Sequence, residues 1–135
     1  ATIKQIHVKN WNLLHSLIHD HPNIEIPMPL AQVDPFCDTM QFHLVGLSRD
    51  AADRFIDLMK EEGIPMQIFG ARRNARDYRQ WEYVKAHQDE LKDTIANIEF
   101  ACDLSMQPHL TQDNIRVMGQ VILDVLAYIA EQSGQ

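Results

Sequence analysis

The sequence predicts an α+β domain, a small mixed or antiparallel sheet with helices packed on one side. Three observations carry this expectation. Met40 to Leu47 reads as a strand, with Phe42, Leu44 and Leu47 as core candidates. Residues 49–62 follow with an apolar stripe of Phe55, Leu58 and Met59, opened by Ser48 and closed by Gly63. Residues 112–132 place Ile115, Met118, Ile122, Val125 and Ile129 at helical spacing, one face of an amphipathic helix.

The elements follow in order. Residues 3–21 predict an entry helix, because Ile3, Ile6, Leu13, Leu14, Leu17 and Ile18 recur at mostly helical spacing with no Gly or Pro before Pro22. Asn23 to Met28 predicts a short strand with Ile24 and Ile26 on one face. Pro27, Pro29 and Pro35 make the next stretch an irregular connection, since proline removes a backbone donor. Ser48 is a suitable N-cap and Gly63 a left-handed stop. Pro65 to Phe69 predicts another strand, followed by a polar loop over 70–77 and a short helix carrying Tyr78, Trp81 and Tyr83 or Val84. A helix over 88–101 and a short strand from Asp103 to Met106 come next, and Thr111 caps the terminal helix. Neither repeats nor a linker divide the chain. It reads as one domain over residues 1–135: an entry helix (1–22), the sheet with its connecting helices (23–111) and a terminal helix (112–135).

Composition bounds the function. A chain of 135 residues buries roughly two-thirds of its unfolded surface, enough for one core. Hydrophobic residues are 45% and charged residues 23%, which excludes a disordered chain. The formal charge of -7 argues against nucleic-acid binding, which needs a basic surface to displace counterions. No apolar run reaches the length of a membrane span. Cys37 and Cys102 sit among apolar residues and read as free thiols in a reducing cytoplasm, with a single disulfide as the alternative.

Four of seven arginines crowd one stretch as Arg72, Arg73, Arg76 and Arg79. Guanidinium groups hold carboxylates and phosphates in bidentate fashion, so Arg72, Arg73 and Arg76 are candidate substrate ligands, with Tyr78 able to stack on a ring. The bland alternative is a solvated loop paired to Asp77 and Glu82. His15 and His19 lie four apart, the spacing of two zinc ligands, but a site needs three or four. A polar helical face near a C-terminus, where histidine is favoured, explains them equally. No nucleophile-base pair is assigned and no metal is expected.

The order of segments resembles a known family. Pro22-Asn23-Ile24-Glu25-Ile26-Pro27 after a helix, the aromatic-His strand Phe42-His43-Leu44-Val45, the helix ending at Gly63-Ile64, and Leu104-Ser105-Met106-Gln107-Pro108-His109-Leu110-Thr111 before the last helix are similar to the C-terminal small domain of the DegT/DnrJ/StrS sugar aminotransferases. The chain departs from the family at 67–79. Many members carry a Tyr-Pro and a His there, against Phe69-Gly70-Ala71-Arg72-Arg73-Asn74.

The resemblance implies the small-domain architecture of fold-type I enzymes dependent on pyridoxal phosphate, and a chain that is part of a longer cytoplasmic enzyme. It implies a preceding large domain, a homodimer, a keto-sugar-nucleotide substrate, and glutamate or glutamine as amino donor; the family includes dehydratases as well. The Schiff-base lysine belongs to the large domain. None of Lys4, Lys9, Lys60, Lys85 and Lys92 stands in the Ser-rich context expected of it, and no glycine-rich phosphate cradle is present. This chain alone is therefore expected to bind no cofactor and to be inactive. The alternative is a stand-alone α+β binding module without catalytic activity. As a fragment, the first helix should leave Ile3, Ile6 or Trp11 exposed.

Overall fold

The computed structural model describes residues 2–28, 30–69 and 99–133. Its elements are α1 (Ile3–Ile18), β1 (Ile24–Glu25), β2 (Thr39–Leu44), α2 (Arg49–Glu61), β3 (Gln67–Ile68), β4 (Ala101–Ser105) and α3 (Gln112–Ser133). The strands form one antiparallel sheet in the order β1-β2-β4-β3. The α+β expectation holds, with α1, α2 and α3 packed on one face.

Register explains the core. Met40 opposes Leu104, Phe42 opposes Cys102, and Cys102 in turn opposes Ile68. Side chains alternate across a strand, so these residues all face the helices. Phe42 meets Phe55 of α2 edge-on at 6.5 Å between ring centroids. The core closes with Leu14 and Ile18 from α1 and Ile115, Ile122, Leu126 and Ile129 from α3.

Helix ends follow local chemistry. Thr2 Oγ1 accepts from the Gln5 backbone N–H, and Gln5 Oε1 accepts from that of Thr2, a reciprocal capping box. Ser48 Oγ accepts from the Ala51 N–H at 3.1 Å, as its position predicts. After α2, Gly63 adopts φ +82. Its N–H reaches Lys60 O, and that of Ile64 reaches Met59 O, the paired bonds of a Schellman stop. At α3, Thr111 Oγ1 accepts from the Asn114 N–H while Asn114 Oδ1 accepts from that of Thr111.

Four expectations need correction. The first helix ends at Ile18, not 21. Pro22 disfavours helical geometry at His21, and the chain turns there, with His21 N–H bonded to Ile18 O and Ile24 N–H to His21 O. β1 spans two residues, because Pro27 has no N–H to extend it. The helix expected over 88–101 does not include Ala101, which begins β4; pairing with β2 sets that boundary, and pairing is a long-range property. The buried stripe of α1 is His7, Asn10, Leu14 and Ile18, whereas Ile3 is 59% exposed. Leu14 and Ile18 match the expectation; His7 and Asn10 take places assigned to isoleucines.

Candidate functional site

The alternation that buries Phe42 and Leu104 sends a polar set to the other face of the sheet. Gln41, Asp103 and Gln67 stand in one row across β2, β4 and β3. Glu25, His43 and Ala101 form the next row across β1, β2 and β4. That row ends at Phe69, whose N–H donates to Ala101 O at 2.9 Å. Carboxylates, an imidazole and amides thus share the face that carries no described helix. Glu25, Gln41 and Gln67 are exposed on this face, whereas Ala101 is buried and Asp103 Oδ1 is shielded from solvent.

The arginine-dense stretch begins three residues after Phe69 in sequence. Arg72, Arg73, Arg76 and Tyr78, the sequence-based substrate candidates, lie outside the described residues. The other three arginines are engaged internally. Arg49 donates to Glu99 O at 2.8 Å, approaches Asp53 Oδ1 at 3.3 Å and lies over the Phe100 ring. Arg54 lies over the Tyr128 ring, and Arg116 pairs with Asp113 at 2.7 Å. Arg49 and Arg54 thus link α2 to neighbouring elements, whereas the Arg116–Asp113 pair lies within α3.

A groove of about 530 Å³ opens between α1 and the 26–38 connection. Val8, Trp11 and Asn12 form its helical wall, and Met28, Phe36 and Cys37 belong to the opposite one. Lys4 is paired with Asp34, and the His7 ring sits 5.2 Å from that of Phe36, tying the connection to the helix. Cys37 is held at φ 63, a left-handed geometry that non-glycine residues seldom adopt. Its thiol pKa is raised, first by burial and then by the Asp34 and Asp38 carboxylates, with Lys4 opposing. A raised pKa lowers the fraction of thiolate, the nucleophilic form, at neutral pH. Both cysteines are free thiols, as expected.

The histidine spacing has a different outcome from the metal arrangement. Trp11, His15 and His19 stack along α1, with ring centroids 5.2 and 4.9 Å apart. His15 has a lowered pKa, from burial first and His19 second, with Asp20 opposing. Among the described residues, no group of three His, Cys, Asp or Glu is placed to hold a metal. Sequence reasoning missed Asn10, which is buried and donates to Leu110 O at 3.1 Å, tying α1 to the start of α3. Its signal was the three- and four-residue spacing from Leu14 back to His7.

Lys4 is ion-paired, while Lys9 and Lys60 are solvent-exposed. Lys85 and Lys92 lie outside the described residues. Gly46 and Gly63 serve turns at φ +74 and +82, and Gly119 lies within α3. No helix in the described structure is long and apolar enough to cross a membrane.

The sequence matches no protein-family model and no curated protein. Comparison with solved structures is informative. The chain is similar to Spr1654 of Streptococcus pneumoniae, described as a sugar aminotransferase, in its PMP form, with a TM-score of 0.78 and 12% identity over 94% of this chain and 31% of that one. It is similar to 3-amino-5-hydroxybenzoic acid synthase, with a TM-score of 0.71 and 17% identity over 93% of this chain and 35% of the other. It is also similar to PseC of Helicobacter pylori, an aminotransferase of pseudoaminic acid biosynthesis, with a TM-score of 0.71 and 10% identity over 90% and 32%. The chain has the fold of a portion of these enzymes and spans about a third of their length.

Proposed function

We propose that this chain is the C-terminal small domain of a pyridoxal-phosphate-dependent aminotransferase acting on a keto-sugar nucleotide. The observation that carries the reading is the match of nearly the whole chain to about a third of several such enzymes. On this reading the preceding part of the longer polypeptide would bind the cofactor and supply the reactive lysine. The cofactor, when bound there, would carry the amino group between donor and sugar.

The role of this domain is to shape and cover the substrate cleft. The polar sheet face of Glu25, Gln41, His43 and Gln67 supplies hydrogen-bonding groups. Arg72, Arg73 and Arg76 would hold the amino donor's carboxylate or the nucleotide phosphates, and Tyr78 would stack on a ring. The active enzyme would be a cytoplasmic homodimer. A second reading, a stand-alone binding module, draws on the closed core that α1, α2, α3 and the sheet already form.

The test is product analysis with the native, full-length polypeptide, glutamate and a keto-sugar nucleotide. The aminotransferase reading expects an amino-sugar nucleotide together with 2-oxoglutarate. Neither product with any common keto-sugar nucleotide would refute it. A deoxygenated sugar nucleotide would move the reading to a dehydratase.

A further inference from the structure

We infer that the face made by the outer side of α1 and the 26–38 connection is the seat on which the rest of a longer polypeptide packs. The inference rests on the aminotransferase reading and assigns a surface to its missing two-thirds. Met28 is 61% exposed, Leu30 72%, Val33 52% and Phe36 49%, all within nine positions of one connection. Isolated exposed apolar residues, such as Val117 on α3, are ordinary. Four exposed apolar residues in one connection, two of them (Met28 and Phe36) lining a groove, mark an interaction surface.

The surface is shaped before anything binds it. The Lys4–Asp34 pair and the His7–Phe36 ring contact fasten the connection to α1. Met106 N–H donates to Asp38 O at 2.8 Å, fastening its far end to the end of β4. Pro27 and Pro35 restrict the backbone between. Docking onto a fixed surface loses less conformational entropy than docking onto a mobile one. The core has no need of these side chains, because it closes without them.

Length names the occupant. The matched enzymes are about three times as long as this chain, so on the aminotransferase reading a body larger than the domain itself would meet it. The seat offers an apolar centre with Asp34 and Asp38 at its rim, and Lys4 is the basic side chain beside them. The complementary surface is therefore apolar, with a basic or hydrogen-bond-donating group opposite Asp38, since Asp34 is already paired with Lys4.

Hydroxyl-radical footprinting of the protein purified from its own cells tests this, with the intact mass measured on the same sample. Each side chain is referred to its own oxidation rate in the unfolded protein. Met28 and Phe36 are expected to be slowed by about fivefold or more, as for surface withdrawn from solvent. Oxidation of Met28 and Phe36 near the unfolded rate, in a polypeptide far larger than 15.6 kDa, would overturn the seat and leave the aminotransferase reading intact. A native mass of 15.6 kDa would overturn both, and protection of Met28 in that protein would assign the face to a second copy instead.

Discussion

Gly119 faces Leu14 and Leu17 of α1 at close range, and Gly119→Ala sets two known effects against each other. A methyl group built there stands 3.0 Å from Leu17 Cδ1, 3.2 Å from Leu17 Cβ and 3.6 Å from Leu14 Cδ1. Removing glycine from a helix interior stabilises by about 0.5–1 kcal/mol. Overfilling a packed contact costs about 1–3 kcal/mol. The end of the Leu17 side chain is 37% exposed and can rotate away. Its Cβ moves only with the backbone of α1, so the helices must separate by a few tenths of an ångström. The packing cost wins by about 1 kcal/mol. With a urea dependence of about 1–3 kcal/mol per molar, the unfolding midpoint followed by circular dichroism should fall by roughly half a molar. The loss should persist in a Leu17→Ala background, which keeps the Leu17 Cβ, with a coupling of less than about 0.5 kcal/mol. A Gly119→Ala protein that resists urea better than the parent would mean that helix propensity dominates and that the crossing is not close.

Three further outcomes follow from the site and its charges. The Cys102 thiol is pushed up to about 12, first by burial and then by Asp103. The unfolded thiol ionises nearer its ordinary value of 9.0, so stability held below that pH is lost as pH rises between the two values. Denaturation midpoints at increasing alkaline pH should show this fall, and Cys102→Ala should flatten it; an unchanged slope would count against the burial argument. His15 should titrate below 6.5 by NMR, with Asp20→Asn lowering it further and His19→Gln raising it. Any stability that neutral His15 contributes is present above that value and lost as pH falls through its lowered pKa. In the full-length polypeptide, Arg72→Ala and Arg76→Ala should each lower kcat/KM for one substrate by about ten- to a hundredfold, the loss of a charge-assisted pair; values unchanged for both substrates would remove these arginines from the cleft.

Local rules made parts of the fold legible. Ser48 and Gly63 bound α2 because capping and left-handed stops depend on residues close in sequence. The stripe from Ile115 to Ile129 is buried as its spacing predicts. The start of β4 was not legible, because Ala101 and Cys102 become strand only by pairing with His43 and Phe42, almost sixty positions away. His7 and Asn10 were hidden for another reason. A polar residue on a buried stripe looks like an interruption until its partner, here Leu110 O for Asn10, is known. For the site, the polar sheet face follows from strand alternation once the register is given. Of the residues whose exposure would mark a fragment, Ile3 is exposed while Ile6 and Trp11 are half-buried. The clearer exposure falls in the 26–38 connection, where prolines concealed any period.

The central claim is that this chain is one domain of a cofactor enzyme, and the intact mass and visible absorbance of the native protein test it most directly. The account predicts a polypeptide far larger than 15.6 kDa carrying a bound yellow chromophore. A colourless protein of 15.6 kDa would contradict it and assign the same fold to a binding module.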